Sequence, residues 1–364
     1  MTRFDRFVLA RFFAAFGLLL ALLIVTFVVL DYVERVDDFM DRGAAMSDVF
    51  GTYYLHYVPE IIRLVSPLAA FLAAIFVTSR LAQSMQLAAL RAAGISTLRF
   101  ARPIALGGAL IAVVMLGFNG WIVPRAVSVV HDFQNRYYRD APERSGGSAS
   151  VRQIAADAIL SVGFFDREAA RAYRVTAIQF DTTSASSGVR ARLDAAEMEW
   201  LDSLATWRLQ RVSTRSFAAG GSVARELPTL DSAFALHPRD LAETNRDTER
   251  MTLPEARAFV QTLSRTGVRE IGRPVVAYHA KLAYPLANFI LAILAVPMAS
   301  RRRRGGQAAQ LAIGLGVAVV YLGVQKTMEP LGFVGDIPPE LAAWAPHVLF
   351  GALALVALAR MRRV

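Results

Sequence analysis

The sequence predicts a membrane protein with six transmembrane helices and an inserted antiparallel β domain. The chain of 364 residues is 55% hydrophobic and has a mean hydropathy of +0.39. That composition is too apolar for an ordinary soluble domain and too charged for a chain made only of membrane spans. The apolar residues are also unevenly placed. Long uncharged runs occupy both ends of the chain, whereas residues 124–274 are charged and alternate as strands do.

Three spans are predicted in the first part of the chain, around the uncharged runs 12–30, 64–79 and 104–123. We interpret the first run as a retained span, because it exceeds a typical signal-peptide core and no small-residue cleavage site follows it. Glu60 and Arg63 lie three positions apart near the start of the second span. We expect them to pair at the membrane edge, although a substrate-facing charge is an alternative. The third run is rich in glycine, which suits close helix packing.

The stretch 80–94 between the second and third spans is predicted to form one short helix, because it is rich in strong helix formers. Gly94 is a natural helix stop, and Arg91 in the last turn favours the helix dipole. The spacing places four residues on one face, namely Leu81, Met85, Ala88 and Ala92. Two interpretations stay open from this stretch alone: a basic loop that rests on lipid headgroups, or a helix that docks into another protein.

The central region predicts an antiparallel β domain. Its residues alternate with period two over 172–180, 189–200 and 206–217. Turn-forming residues separate these strands at 181–188 and 218–221. Residues 127–139 are more helical and are expected to extend the third span. A capping box at Thr252–Glu255 predicts a further helix to about Leu263.

Three more spans are predicted after the β domain, at residues 282–300, 305–325 and 341–359. A run of four arginines, residues 301–304, separates the first two. A loop with glycine and proline, residues 326–340, separates the last two.

The distribution of basic residues predicts the orientation of the spans. One side carries fourteen arginines in four groups: Arg3, Arg6 and Arg11; Arg80, Arg91, Arg99 and Arg102; Arg301–Arg304; Arg360, Arg362 and Arg363. The short loops of the other side carry three basic residues, Arg35, Arg42 and Lys326. The positive-inside rule then places both termini and the stretch 80–94 in the cytoplasm, and the β domain outside it. The same pattern explains the net charge of +10 without nucleic acid as a partner.

No catalytic or metal-binding motif is present in the sequence. The chain has no cysteine, and neither of its lysines, Lys281 and Lys326, follows a glycine as a Walker A lysine must. It has no H-E-x-x-H and no G-x-S-x-G motif, and its five histidines lack ligand spacing. We therefore expect no enzyme activity, no metal and no cofactor of the chain itself.

Several arginines near span ends on the outer side are candidates for binding a lipid headgroup. Because the guanidinium fork binds phosphate in a bidentate manner, a shared cavity lined by them would suit a phosphorylated lipid. The alternative is that they are solvated or snorkel to the interface. The candidates are Arg35, Arg42, Arg63, Arg125, Arg136 and Arg139.

Four sequence patterns carry a resemblance to a known family. They are Leu81-Ala-Gln with Leu90-Arg-Ala-Ala-Gly94, then Tyr278–Asn288, then Ala295-Val-Pro297, and finally Ile337–Pro346. With the order of spans and β domain, the chain resembles the YjgP/YjgQ permease family, the lipopolysaccharide export permeases LptF and LptG. The closing Pro-Pro and Ala-Trp-x-Pro pattern is more similar to the LptG branch.

The resemblance implies a permease subunit of an ABC transporter in the bacterial inner membrane. Its implied partners are the paralogous subunit of an LptF/LptG heterodimer, an LptB ATPase dimer that uses the ATP, LptC, and lipopolysaccharide as the substrate. The implied domains are spans one to three (1–126), a periplasmic β-jellyroll (127–274) and spans four to six (275–364). A membrane-anchored scaffold that assembles envelope proteins through the β domain is the alternative function.

The resemblance also implies that 80–94 is the coupling helix that contacts the ATPase. The residues expected to carry this contact are Arg80, Gln83, Gln86, Leu87, Arg91 and Gly94. Gln86 stands where the family often has glutamate. After the first span the family's LptG branch often has lysines, whereas here only Arg35 and Arg42 can serve.

Overall fold

The computed structural model describes residues 2–94, 96–137, 150–155, 157–166, 169–181, 188–202, 204, 206–218, 221–232, 234, 236, 238, 241, 247–265, 271–300 and 305–361. The chain divides into two compact units. The helical unit comprises Met1–Tyr138, Glu249–Arg257 and Gly272–Val364, and the β unit comprises Arg139–Thr248 and Ala258–Ile271. The predicted arginine run 301–304 and Arg139 lie outside the described residues.

The helices confirm the predicted membrane architecture. They are α1 Arg3–Asp41, α2 Met46–Asp48, α3 Leu55–Gln83, α4 Gln86–Ala92, α5 Thr97–Gly117, α6 Val123–Tyr137, α7 Leu253–Arg265, α8 Gly272–Ala299, α9 Gly306–Val334 and α10 Pro339–Met361. Two π-helical segments, Val49–Tyr54 and Phe118–Ile122, continue α2 into α3 and α5 into α6. Within the described part of the chain, six helical stretches are long and apolar enough to cross a membrane.

Two helices run further than the sequence indicated. Helix α1 continues through the charged residues after its apolar part and ends at Asp41, before Gly43 with φ of 78°. Helix α9 continues to Val334, through part of the predicted loop 326–340, and ends at the left-handed Gly335. Hydropathy marks only the part of a helix that suits hydrocarbon, so it cannot show where the helix itself ends.

Helix α8 is central to the helical unit and packs against α3, α5 and α10. The packing role predicted for the glycines of this span is confirmed at Gly107 and Gly108, whereas a Cβ at Gly117 would meet no atom within 4 Å. A Cβ at Gly107 would lie 2.7 Å from the Phe12 ring, and one at Gly108 would lie 3.0 Å from Ala292 Cβ. Since neither position has room for a side chain, these two glycines fix the distance of α5 from α1 and α8.

The β unit contains a six-stranded antiparallel sheet in the order β1 to β6, so every strand pairs with its neighbours in sequence. The strands are β1 Ser150–Ala155, β2 Ala158–Asp166, β3 Arg171–Phe180, β4 Val189–Leu201, β5 Thr206–Ala218 and β6 Gly221–Ser232. They follow α6 and precede α7 and α8, which confirms the inserted antiparallel β domain. The three predicted strands correspond to β3, β4 and β5. Of the predicted turns, residues 182–187 and 219–220 lie outside the described residues.

A line of irregular residues crosses the sheet in its middle. Arg174 on β3 and Arg211 on β5 have left-handed φ angles of 53° and 54°. On β2 to β5 the buried residues on either side of this line are three positions apart, not two. These pairs are Val162 and Phe165, Ala172 and Val175, Ala195 and Met198, and Leu209 and Val212. On β3 and β5 the left-handed residues therefore reset the alternation, so that one face stays buried along the strand.

Candidate functional site

The stretch predicted as one coupling helix consists of the end of α3 and the separate helix α4. The chain leaves α3 at Ser84, whose hydroxyl donates to the Arg80 carbonyl at 2.9 Å, and turns at Met85 with φ of 60°. Gly94, with φ of 78°, ends α4 and confirms the predicted helix stop. The continuous helix over 80–94 is therefore corrected. Between Arg80 and Ala93 only Ser84 is not a strong helix former, so composition gives the break a weak signal at most.

Burial divides the predicted coupling residues into an anchor and an exposed surface. Leu87 is only 3% exposed and belongs to the apolar core of the helical unit, with Leu81 and Ala82. The proposed shared face of Leu81, Met85, Ala88 and Ala92 is wrong, because Leu81 is buried and the other three are exposed. We define the α4 surface as the exposed members of the predicted set, Arg80, Gln86, Arg91 and Gly94. Gln83 is half-buried.

The backbone at the two ends of α4 predicts opposite effects of two substitutions. Met85 carries a side chain in a left-handed conformation, which costs about 1 kcal/mol relative to glycine, so Met85→Gly is expected to stabilise the protein. Gly94 already occupies this conformation, so Gly94→Ala is expected to lower the free energy of unfolding by about 1 kcal/mol. Thermal unfolding of both variants in detergent measures the effect. Equal shifts in one direction would contradict the assignment of strain to Met85.

The arginines predicted to bind a lipid headgroup do not share one environment. Arg35 Nε lies 2.9 Å from a carboxylate oxygen of Asp31, and Arg63 Nε donates to Glu60 at 3.0 Å. The latter contact confirms the predicted Glu60–Arg63 pair. Both arginines are therefore balanced by a carboxylate on their own helix. The other described candidates, Arg42, Arg125 and Arg136, are exposed.

Polar residues of three membrane-spanning helical stretches form a cluster of which only the Glu60–Arg63 pair was predicted from the sequence. The Arg63 guanidinium lies 5.5 Å above the Tyr284 ring, and the Tyr284 hydroxyl donates to Glu329. Lys326 Nζ contacts the same Glu329 carboxylate at 3.1 Å. We call Glu60, Arg63, Tyr284, Lys326 and Glu329 the polar cluster; it connects α3, α8 and α9. Charged residues beside an apolar run mark such clusters, but Lys326 and Glu329 were assigned to a loop.

A second polar contact joins α1, the first π-helical segment and α6. The Tyr53 hydroxyl donates to Asp31 at 3.1 Å and accepts from Gln134 at 3.4 Å. Phe39 and Phe133 pack on Tyr53 with ring centroids 5.0 and 5.5 Å away. This buried aromatic cluster holds the ends of the first three spans together. The ion pair between Asp31 and Arg35 links Arg35 to the cluster.

One end of the sheet in the β unit lines an open cavity of about 490 Å³. A row of paired residues crosses it: Ala158, Gln179, Ala191, Ser216 and Val223. The lining is mostly apolar and includes three arginines, Arg192, Arg215 and Arg225. A hydrogen bond from Arg192 holds the pKa of Asp194 below its usual value, so this pair stays charged and balanced. No ion pair among the described residues includes Arg215 or Arg225.

Metal chemistry receives no support from the described part of the chain, which contains no group of three His, Asp or Glu residues able to hold an ion. The features that a ligand or partner could use are the exposed α4 surface and the cavity of the β unit. The first offers arginine and glutamine side chains on an anchored helix. The second offers a mostly apolar lining with the guanidinium groups of Arg215 and Arg225.

Comparisons with known proteins agree with this arrangement. Residues 6–360 match the family model described as "Lipopolysaccharide export system permease LptF/LptG". Over 342 residues the chain is 20% identical to the lipopolysaccharide export system permease protein LptG of Escherichia coli K12. This match covers 90% of the chain and 91% of the relative, and the protein of that name from Escherichia coli O6:H1 gives the same values. The family match spans both units, and the chain belongs to the lipopolysaccharide export permease family LptF/LptG.

Proposed function

We propose that this chain is a permease subunit of a lipopolysaccharide exporter that a separate ATPase drives. The observation that carries the proposal is the family match over residues 6–360, because it includes the spans, α4 and the β unit together. The LptG relatives and the closing sequence pattern support the LptG-type position in a heterodimer with an LptF-type subunit. The chain lacks a Walker A lysine, so the energy of ATP must come from a partner such as an LptB dimer.

The proposed orientation places both termini and α4 in the cytoplasm and the β unit in the periplasm. It is supported by the arginine asymmetry of the sequence. We keep residues 1–126, 127–274 and 275–364 as the proposed functional divisions. The ATPase would then meet α4 at the inner face of the membrane, and the lipid would leave through the β unit toward LptC.

Helix α4 is suited to pass on movement because it is exposed and anchored at the same time. Leu87 packs in the core beside Leu81 of α3, whereas Arg91 stays exposed. A partner that pushes on the α4 surface therefore also moves α3, since close-packed side chains transmit displacement. In this proposal Leu87 transmits the movement and Arg91 makes contact with the ATPase.

The cavity of the β unit supports a lipid as the transported substrate in preference to a purely structural role. Its apolar lining suits acyl chains, and Arg215 and Arg225 can bind the phosphate groups of lipopolysaccharide in a bidentate manner. A scaffold that recognises only folded proteins has no need for an apolar cavity of this kind.

The experiment that tests the proposal reverses one charge on the α4 surface. Arg91→Glu is expected to weaken association with the ATPase about ten-fold, because a charge-assisted contact becomes repulsive. Co-purification of the ATPase with the full-length permease measures the association, and Arg6→Glu is the control, since Arg6 is exposed on α1. A photo-reactive residue at Leu193 in the cavity should also capture lipopolysaccharide less often in Arg91→Glu. Unchanged association and capture would contradict the proposal.

A further inference from the structure

Lys281 is a buried lysine of α8, one of the helical stretches able to cross a membrane. It is 7% exposed, and its ammonium donates to the backbone carbonyl of Glu249 at 2.9 Å. No ion pair among the described residues includes Lys281, and the neighbouring charges of Arg63 and Glu60 already pair with each other. A carbonyl dipole offsets only part of the cost of burying a cation. Stability of the fold therefore does not account for a lysine at this position.

The backbone carbonyl of Lys281 is bonded in an unusual way, because Pro285 follows four positions later. In an α-helix this carbonyl accepts from the amide of residue 285, and proline has no N–H to donate. The Asn119 side chain donates to the Lys281 carbonyl at 2.9 Å instead. Asn119 is 2% exposed and lies in the π-helical segment Phe118–Ile122. Lys281 therefore bonds to this segment through its backbone and to Glu249 through its side chain.

The residues that begin at Glu249 lead out of the helical unit through α7. Residues Glu249–Arg257, which we call the connector, belong to the helical unit, whereas Ala258–Ile271 belong to the β unit. Helix α7 therefore contains residues of both units. Met251 and Ala256 of the connector are buried. Because one helix continues from the connector, a contact that fixes the connector also fixes where the chain enters the β unit.

We propose that Lys281 is a positioning residue that holds the connector on α8 and thereby supports transfer of the lipid to the β unit; the second part rests on the proposed function. Glu249 is the last residue of the 3-10 helix Asp247–Glu249, where a cation that donates to a carbonyl is favourable. A neutral apolar side chain of similar length fills the same space but cannot donate. The charge of Lys281 therefore serves the position of the connector at a cost in stability.

Lys281→Met tests this assignment in the full-length chain, because methionine preserves the length of the side chain and removes its charge. Amide hydrogen exchange of the connector should become about ten-fold faster, the factor for loss of one charge-assisted hydrogen bond. The fraction of SDS at the midpoint of unfolding in mixed micelles should not fall, since the cost of burying the ammonium is removed as well. Lys326→Met, at an exposed lysine of α9, should leave exchange of the connector unchanged.

Two results for Lys281→Met would overturn the proposal. Unchanged exchange would show that the ammonium does not hold the connector. A lower midpoint would show that Lys281 acts as an ordinary stabilising residue of the core.

A second set of variants applies even if Lys281→Met does not fold. Asn119→Ala removes the donor to the Lys281 carbonyl and should lower the SDS fraction at the midpoint. In a Pro285→Ala background, the new amide at position 285 can donate to that carbonyl, so Asn119→Ala should lower the midpoint less. An equal loss in both backgrounds would overturn the role of Asn119 in holding Lys281.

Lipid capture distinguishes this inference from the proposed function. A photo-reactive residue at Leu193 should capture lipopolysaccharide in the wild-type chain and about ten-fold less in Lys281→Met, with association of the ATPase unchanged. Equal capture by the two chains would overturn the role of Lys281 in transfer. No capture by the wild-type chain would contradict the proposed function, whereas exchange and the midpoint would still decide whether Lys281 holds the connector.

Discussion

Replacing Arg63 with methionine is expected to lower the free energy of unfolding by about 3 kcal/mol, the cost of leaving one member of a buried ion pair without its partner. Arg63 and Glu60 are about three-quarters buried, with exposed fractions of 24% and 27%. Both lie in the second membrane-spanning helical stretch, Met46–Gln83. Methionine preserves much of the side-chain volume, so the loss comes from the unpaired Glu60 and from the lost contact with the Tyr284 ring.

Two further variants make this expectation specific. In Arg63→Met with Glu60→Gln, no charge remains unpaired, so most of the lost stability should return. Lys326→Met removes a cation from the same polar cluster, but Lys326 is 57% exposed and Glu329 keeps its hydrogen bond from Tyr284. Its cost should be smaller than that of Arg63→Met, because the removed cation is more exposed and Glu329, although only 14% exposed, keeps the Tyr284 donor.

The measurement is the unfolding of each purified variant in mixed micelles, followed by helical circular dichroism as the fraction of SDS rises. Stability of Arg63→Met equal to that of the wild type would contradict a structural role of the pair. Equal costs for Arg63→Met and Lys326→Met would show that burial does not set the effect.

The polar cluster also affects the proposed coupling to the ATPase, because α3 contains Arg63 of the cluster and leads into α4 at its other end. Arg63 lies in the first part of α3 and contacts Tyr284 of α8, whereas α4 begins at Gln86, after the two residues that follow the end of α3. An ATPase that displaces α4 would therefore move the contact between Arg63 and Tyr284 only if α3 moves as a rigid body. Weakening that contact should uncouple the movement of α3 from α8.

Properties that depend on local composition could be predicted from the sequence. The six spans and strands β3 to β5 follow from uncharged runs and period-two alternation, and Gly94 ends a helix because glycine tolerates a positive φ. The Glu60–Arg63 pair follows from its spacing of three residues within a helix. In each case the residues that produce the sequence pattern lie within one span, one strand or one helical turn.

Properties that depend on contacts between residues far apart in sequence could not be predicted in this way. Leu87 looks like any exposed leucine of a short helix, and only its packing in the core makes it an anchor. Strand β6 contains Pro228, which sequence patterns exclude from central strands, but β6 is the last strand of the sheet and tolerates it. Glu329 was placed in a loop because of the nearby glycines and prolines, and its contact with Tyr284, 45 residues away in sequence, leaves no local signal.

Replacing Gly272 with alanine is expected to lower the free energy of unfolding by about 2 kcal/mol, within the range for overpacked sites. A Cβ at this position would lie 2.5 Å from the Gly332 carbonyl oxygen and 2.7 Å from that of Phe333. Both obstacles are backbone atoms of α9, so no rotamer change relieves them, and the first turn of α8 must move away from α9. Gly332 itself is confined in the same way, since its Cβ would lie 2.4 Å from Ala342 of α10.

Gly323 provides the matched control, because it lies on α9 and a Cβ there would meet no atom within 4 Å. Gly323→Ala should stabilise the chain by about 0.5–1 kcal/mol, the gain in helix propensity over glycine. Each substitution adds one methyl group, in crowded surroundings at Gly272 and in open surroundings at Gly323. The SDS fraction at the midpoint of unfolding should therefore fall for Gly272→Ala and rise for Gly323→Ala. A loss in both variants would mean that flexibility of these helices, and not the close backbone contact between α8 and α9, requires glycine.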